Sequence, residues 1–113
     1  MSYQSSVNIT NASGQEVIFH LEPWGEQILM PPGETFTVSA EAQEEGSFEV
    51  EYGEGEILVW AWSSAIAKVF CNGKELGGLA GKERPAVPTM PAGKSVSSLL
   101  RFMLGKEIKK QRN

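Results

Sequence analysis

A sequence of 113 residues that contains one histidine, His20, and one cysteine, Cys71, has few ways to carry out nucleophilic chemistry. A thiol nucleophile needs a base beside it and a third group to orient that base. Cys71 with His20 is the single pairing of that kind on offer, and the chain has no aspartate to hold the imidazole. Free cysteine usually serves as a small buried hydrophobe, and His20 falls in the middle of an apolar run, so both are expected to be framework residues. Metal chemistry is no better supplied. One histidine and one cysteine, even with Met30, Met90 and Met103, provide neither the four ligands of a structural zinc site nor the two imidazoles of a blue-copper site. No metal and no cofactor is expected.

All fourteen acidic residues are glutamate, which removes the aspartate-based calcium loop. Glutamates do come in pairs, at 44 and 45, 49 and 51, and 54 and 56, and two carboxylates can hydrolyse a glycoside. A spacing of two on a strand, however, turns both to the same wet face. General acid chemistry needs one carboxyl buried enough to stay protonated, and the sequence marks none, so a non-catalytic chain is expected. The stretch Gly77-Gly78-Leu79-Ala80-Gly81-Lys82-Glu83 evokes a phosphate-binding loop, but Leu76 stands where its first glycine belongs and Glu83 where its magnesium-binding hydroxyl belongs. Gly53-Glu54-Gly55 lacks the third glycine of a dinucleotide fingerprint, Leu58 taking that place. Asn8-Ile9-Thr10 and Asn11-Ala12-Ser13 match glycosylation sequons, yet with no secretion signal they are read as turn and cap residues.

Indole faces stack on sugar rings, so Trp24, Trp60 and Trp62 are the candidate residues for a carbohydrate or small apolar ligand. Trp24, between Pro23 and Gly25, is expected in a turn and exposed. Trp60 and Trp62 are expected in the core, given the area each buries in a domain this small.

These side chains must be positioned by short strands. Between residues 7 and 76, β-branched and aromatic residues cluster in runs of four to seven, broken by glycine, proline or asparagine. Strands are expected at Val7 and Ile9, at Val17 to Glu22 with Pro23 ending it, at Gln27 to Met30, and at Phe36 to Val38 after the Pro31-Pro32-Gly33 turn. Phe48, Val50 and Tyr52 alternate with Glu49 and Glu51, one dry face against one wet face. The partner strand runs from Ile57 to Trp62. A three-residue loop would pair Gly53 with Ile57 and set Leu58, Trp60 and Trp62 beside Phe48, Val50 and Tyr52; a two- or four-residue loop would set those tryptophans beside Glu49 and Glu51. The larger core favours the three-residue loop. Asn72-Gly73 accepts two positive φ angles and predicts a type I′ hairpin between Val69-Phe70-Cys71 and Lys74-Glu75-Leu76.

The expected fold is therefore mainly β, a small antiparallel β-sandwich or partly open barrel of about seven short strands, followed by a Gly/Pro linker and one C-terminal amphipathic helix. The division is an acidic β domain at 1–76, a Gly/Pro-rich linker at 77–94, and a basic amphipathic helical tail at 95–113. In the linker Pro85, Pro88 and Pro91 recur every third residue, with Lys82 three ahead, a pattern that resembles an SH3-type ligand but suits a stiff spacer better. Ser95 can cap the helix, whose apolar residues Val96, Leu99, Leu100, Met103 and Leu104 fall on one stripe.

Charge is divided along the chain. From Met1 to Ala67 there are eleven glutamates and no lysine or arginine; from Lys68 onward there are ten basic residues and three glutamates, so -11 and +7 give the net -4. The stripe and Lys106, Lys109 and Lys110 are the candidate partner-binding residues. The charge asymmetry favours docking on the chain's own acidic domain or insertion into the groove of a protein partner or second copy, and an acidic body repels phosphate and lipid headgroups, so nucleic acid and a membrane surface rank lower. With no apolar run long enough to span a bilayer and no signal-like start, the cytoplasm is the expected compartment. The expected function is a non-catalytic protein-interaction or assembly domain whose tail docks on a partner or second copy, the alternative being a carbohydrate or small apolar ligand module.

Overall fold

The computed structural model describes residues 2–88. Val96, Leu99, Leu100, Met103, Leu104, Lys106, Lys109 and Lys110, with the helix expected to carry them, lie outside the described residues. Eight strands follow one another: β1 (Tyr3–Thr10), β2 (Val17–Glu22), β3 (Glu26–Met30), β4 (Thr35–Ala42), β5 (Glu49–Gly53), β6 (Glu56–Trp60), β7 (Ile66–Cys71) and β8 (Lys74–Glu75). They form two four-stranded sheets, one in the order β1-β4-β7-β8 and the other in the order β3-β2-β6-β5.

One core lies between the sheets. Phe19, Leu21, Val59 and Ile57 enter from the β2/β6 sheet and Phe36, Val38, Ala67 and Val69 from the other. Phe19 of β2 meets Phe36 of β4 edge-to-face, with ring centroids 5.2 Å apart, the arrangement that ring quadrupoles prefer. In β2 the alternation is strict: Val17, Phe19 and Leu21 are buried, while Ile18, His20 and Glu22 look outward.

Local turn chemistry acts as the sequence predicts. Asn72 and Gly73 both have positive φ, 52° and 81°, and join Cys71 to Lys74 as facing residues. Gly33, at φ 82°, completes the Pro31-Pro32-Gly33 turn, with Glu34 N–H donating to the Pro31 carbonyl at 3.3 Å. β2 stops at Glu22, directly before Pro23. The corner between β1 and β2 is built on Asn11, which is 1% exposed. Its Nδ2 donates to the carbonyls of Gln15 and Met30, at 2.7 and 3.0 Å, and its Oδ1 accepts from Ser13 N and Oγ. That second sequon is thus a turn whose amide nitrogen is fully engaged.

Two expectations need correction. The sandwich is not wholly antiparallel, because β2 and β6 pair in parallel. After β3 the chain crosses to the other sheet for β4 and returns through the β5–β6 hairpin. The second arm of that hairpin is slotted between β5 and β2, and it arrives running the same way as β2. The β5–β6 loop is also shorter than favoured: Gly53 faces Glu56, so the turn is the two residues Glu54 and Gly55, with Gly55 at φ 73°. This register places Trp60 across from Glu49 and Leu58 across from Glu51, and it aligns Val50 with Val59. The physical reason is burial. In this register Ile57 and Val59 take the inward positions of β6 and join the buried core.

Gly77 to Pro88, within the stretch read as a spacer, lies against the body. Leu76 N–H donates to the Val69 carbonyl at 2.8 Å, and two short turns follow, Ala80 to Gly77 and Lys82 to Leu79. Val87 is 2% exposed. It is held on both sides of its peptide, its N–H donating to Ala65 O at 3.0 Å and its carbonyl accepting from Ser64 N–H at 2.7 Å.

Candidate functional site

Among the described residues, charged and aromatic side chains come together where this strap crosses from β8 to β3. Glu26 begins β3 opposite Leu21, and since facing residues share a face, its carboxylate is turned towards the interior. It is 8% exposed. Burying such a charge demands a partner, and Arg84 supplies it: its guanidinium, with none of its side chain exposed, contacts Glu26 Oε2 through Nη1. Glu75 of β8 is the second carboxylate, at 4.0 Å from Nη2. The contacts are ionic rather than well-angled hydrogen bonds.

Backbone and aromatic groups complete the cluster. Leu79 N–H donates to Glu26 Oε1 at 3.2 Å and Gly81 N–H to Glu75 Oε1 at 3.0 Å. The guanidinium carbon of Arg84 lies 5.4 Å from the centre of the Trp24 ring, within cation–π range. Trp24 Nε1 donates to the Pro85 carbonyl at 2.8 Å. Gly77 is required here, since at φ +100° a side chain would be strained and a Cβ would collide with Glu26 Oε1. Glu22, one strand end away, accepts from Gly25 N–H at 2.8 Å. Burial pushes its carboxyl above the ordinary range, against the lowering effects of that hydrogen bond and of His20. Sequence reasoning missed Arg84 altogether; the signal available was one arginine in a Gly/Pro stretch following a segment with eleven glutamates and no cation.

The three tryptophans are spread over separate environments. Trp62, 8% exposed, meets Phe48 edge-to-face at 5.2 Å and donates to Glu44 O at 2.8 Å, while a Cβ on Gly46 would strike its indole. Trp60 is 7% exposed and belongs to the buried hydrophobic cluster, as expected, with Glu22 and Glu49 as its strand partners. No described residue accepts a hydrogen from its Nε1. Trp24 is half-buried under the strap.

His20 and Cys71 belong to different sheets. His20 Nε2 is 3.1 Å from Glu56 Oε1 on the outer face of the β2/β6 sheet. Cys71 Sγ is 3.7 Å from Glu34 Oε2. Desolvation and then the Glu34 carboxylate raise its thiol above the usual range, the wrong direction for a nucleophile. Among the described residues no group of three or more histidine, cysteine or acidic side chains is arranged to hold a metal ion, and no helix is long and apolar enough to cross a membrane.

The outer face of the β1/β4/β7 sheet is a shallow concavity of about 610 Å³, lined among others by Gln4, Ser6, Ser39, Glu41, Lys68 and Phe70. Its cross-strand pairs are polar: Thr10 and Thr35 hydroxyls lie 2.8 Å apart, Thr37 Oγ1 donates to Asn8 Oδ1 at 2.7 Å, and Gln4 Nε2 donates to Glu41 Oε2 at 3.2 Å. This surface can hydrogen-bond but offers no paired acid and base. No family model, curated protein or solved structure matches the chain.

Proposed function

We propose that the chain is a non-catalytic interaction or assembly domain, a rigid acidic sandwich that delivers its basic C-terminal segment to a protein partner or a second copy. The observation that supports this most is the clamping of the strap. Arg84 is ion-paired inside the body and Val87 is bonded on both sides of its peptide, so whatever follows Pro88 departs from a fixed point. Fixing the exit point lowers the entropy lost when the segment docks. Residues 94–113 carry six basic side chains and one glutamate, so the partner that suits them presents an apolar groove with an acidic rim.

The alternative, a carbohydrate or small apolar ligand module, gains nothing from the indoles: two are buried and the third is under the strap with its N–H engaged. Removing residues 92–113 tests the proposal. The unfolding midpoint of the body should stay the same, and proteins retained by the immobilised full chain and identified by mass should no longer be retained. Identical retention by both forms, with the body folded in each, would overturn it.

A further inference from the structure

The outer face of the β3-β2-β6-β5 sheet combines exposed apolar side chains with an acidic surround. Facing residues share a sheet face, and the registers lay out three rows across the strands. Leu29, Ile18 and Glu56 form the first, Gln27, His20, Leu58 and Glu51 the second, and in the third Glu22 and Glu49 stand on either side of Trp60. Leu29 is 62% exposed and Ile18 beside it 38%, with Leu58 half-buried one row on. The rows hold four glutamates and neither lysine nor arginine. The outer face of the other sheet is a poor rival: Glu41 is offset by Lys68, and Thr10 with Thr35 and Asn8 with Thr37 form neutral hydrogen-bonded pairs.

We infer that the β2/β6 outer face is where the chain's own residues 94–113 rest, with their apolar stripe against Leu29, Ile18 and Leu58 and their lysines towards the glutamates. Charge selects this occupant, because 94–113 carry six basic side chains and one glutamate, whereas the acidic body of a second copy is repelled. Place selects it again. Val87 is bonded to Ser64 and Ala65, in the connection from β6 to β7, and Ala61 N–H donates to Glu22 O at 3.0 Å. The strap therefore releases the chain at the end of the sheet where β2 and β6 finish, next to the row of Glu22 and Glu49.

Length agrees. The eight residues from Pro88 to Val96 reach up to about 26 Å. A helical stripe from Val96 to Leu104 is about 13 Å long, which matches the roughly 13 Å from Trp60 back to Glu56 along β6. So short a tether holds the segment at an effective concentration on the order of 1 mM, so that a contact with a Kd as weak as about 100 µM is closed in roughly nine chains of ten. The regulatory consequence rests on reading 94–113 as the partner-binding segment: an outside groove must displace it from the body, and capture is held back in the free chain.

Paramagnetic broadening in the full chain tests this. A nitroxide on Ser98→Cys, in a Cys71→Ser background, lies on the opposite side of the helical spacing from the stripe and leaves it intact. The amides of Ile18, Leu58 and Glu51 should lose most of their intensity, and those of Ser6, Thr37 and Ser39 on the other sheet much less. Leu29→Lys, which removes apolar surface and adds a cation, should restore much of the lost intensity, and Glu51→Lys should do the same should Leu29→Lys disturb the fold. Glu41→Lys makes the same change of charge on the other sheet as Glu51→Lys and should leave the broadening as it is. Broadening spread evenly over both sheets or strongest on the other one, broadening that survives both Leu29→Lys and Glu51→Lys, or broadening lost equally with Glu41→Lys would overturn the inference. So would broadening of an unlabelled isotope-enriched chain by a spin-labelled one mixed with it, which would place the segment on a second copy. Absent broadening alongside partner retention that depends on residues 92–113 would overturn the contact and leave the proposed function standing. Focused broadening with retention unaffected by that deletion would uphold the contact and remove the proposed function.

Discussion

On one side of the sandwich, where β3 and β8 end their sheets, residues 77–87 cross both strands and bring a cation with them: Arg84 sits between Glu26 and Glu75 with its side chain fully enclosed. On the other side β1 ends its sheet with eight uncharged residues and no described neighbour. The contrast shows two ways for a small sandwich to treat an edge. The strapped edge is held by buried charge, which specifies one arrangement strongly but costs desolvation on both partners. The bare edge costs nothing in the folded chain and leaves its hydrogen-bonding groups available to another strand. The strapped side should therefore respond to substitution and pH through stability.

Removing the cation should produce the largest effect. Arg84→Met keeps much of the packing volume but leaves the buried Glu26 carboxylate without its main counter-charge, and breaking one half of a buried pair costs about 3–5 kcal/mol. Urea denaturation followed by tryptophan emission would measure it, with Trp24 reporting the strap directly. The double variant Arg84→Met with Glu26→Gln should recover a large part of that loss, because no uncompensated charge remains. Should the double variant be as unstable as the single, the strap would be held by packing at Val87 and Trp24 and not by charge.

Gly77→Ala comes next. At φ +100° the added Cβ is strained and meets Glu26 Oε1, so the loss should be at least the roughly 1–2 kcal/mol that such a backbone costs an L-residue. The same substitution at Gly78, where no atom lies within 4 Å of the added Cβ, should be close to neutral, and equal losses at both positions would remove the special fit claimed for Gly77. Trp24→Phe is milder. It keeps an aromatic face for Arg84 and deletes the bond to Pro85 O, a loss of about 1 kcal/mol or less.

The two edges also differ in how far the sequence discloses them. The strands and the turns at Pro31-Pro32-Gly33 and Asn72-Gly73 are legible because each is decided within a few residues, by β-branching, fixed proline φ or tolerance of positive φ. The continuous apolar run of β2 signals a strand covered on more than one side, and β2 is central. Its parallel pairing with β6 is not legible, since nothing in either strand records the direction in which a distant neighbour arrives. The β5–β6 register depends on a Gly53-Glu54-Gly55-Glu56 stretch that accepts several loops; the register found is the one that buries Ile57 and Val59 in the core. Arg84 is the hardest case. Its burial depends on Glu26 and Glu75, remote in sequence, and an arginine among glycines and prolines has no periodicity to mark it. β1 is the reverse: its lack of charge is plain in the sequence, but that it ends a sheet appears only when both sheets are assembled.

The smallest effect concerns pH. Burial raises the Glu22 carboxyl above its ordinary value at the strapped side, and β1 has no titratable carboxyl or amine to match it. A raised folded-state value means that this group contributes stability that is fully present below the unfolded pKa and is lost as pH rises through the folded one. Glu22→Gln keeps an oxygen able to accept from Gly25 N–H and never ionises. Its unfolding free energy should exceed that of the wild type by a small margin at neutral pH, and the margin should shrink to nothing as the pH falls through Glu22's raised value towards the ordinary carboxylate range. Paired denaturation curves between about pH 3 and pH 8 isolate the term, since the other ionisable groups are common to both proteins. A Glu22→Gln protein less stable than the wild type at neutral pH would mean that the Gly25 hydrogen bond and His20 outweigh burial, reversing the sign assigned to this carboxyl.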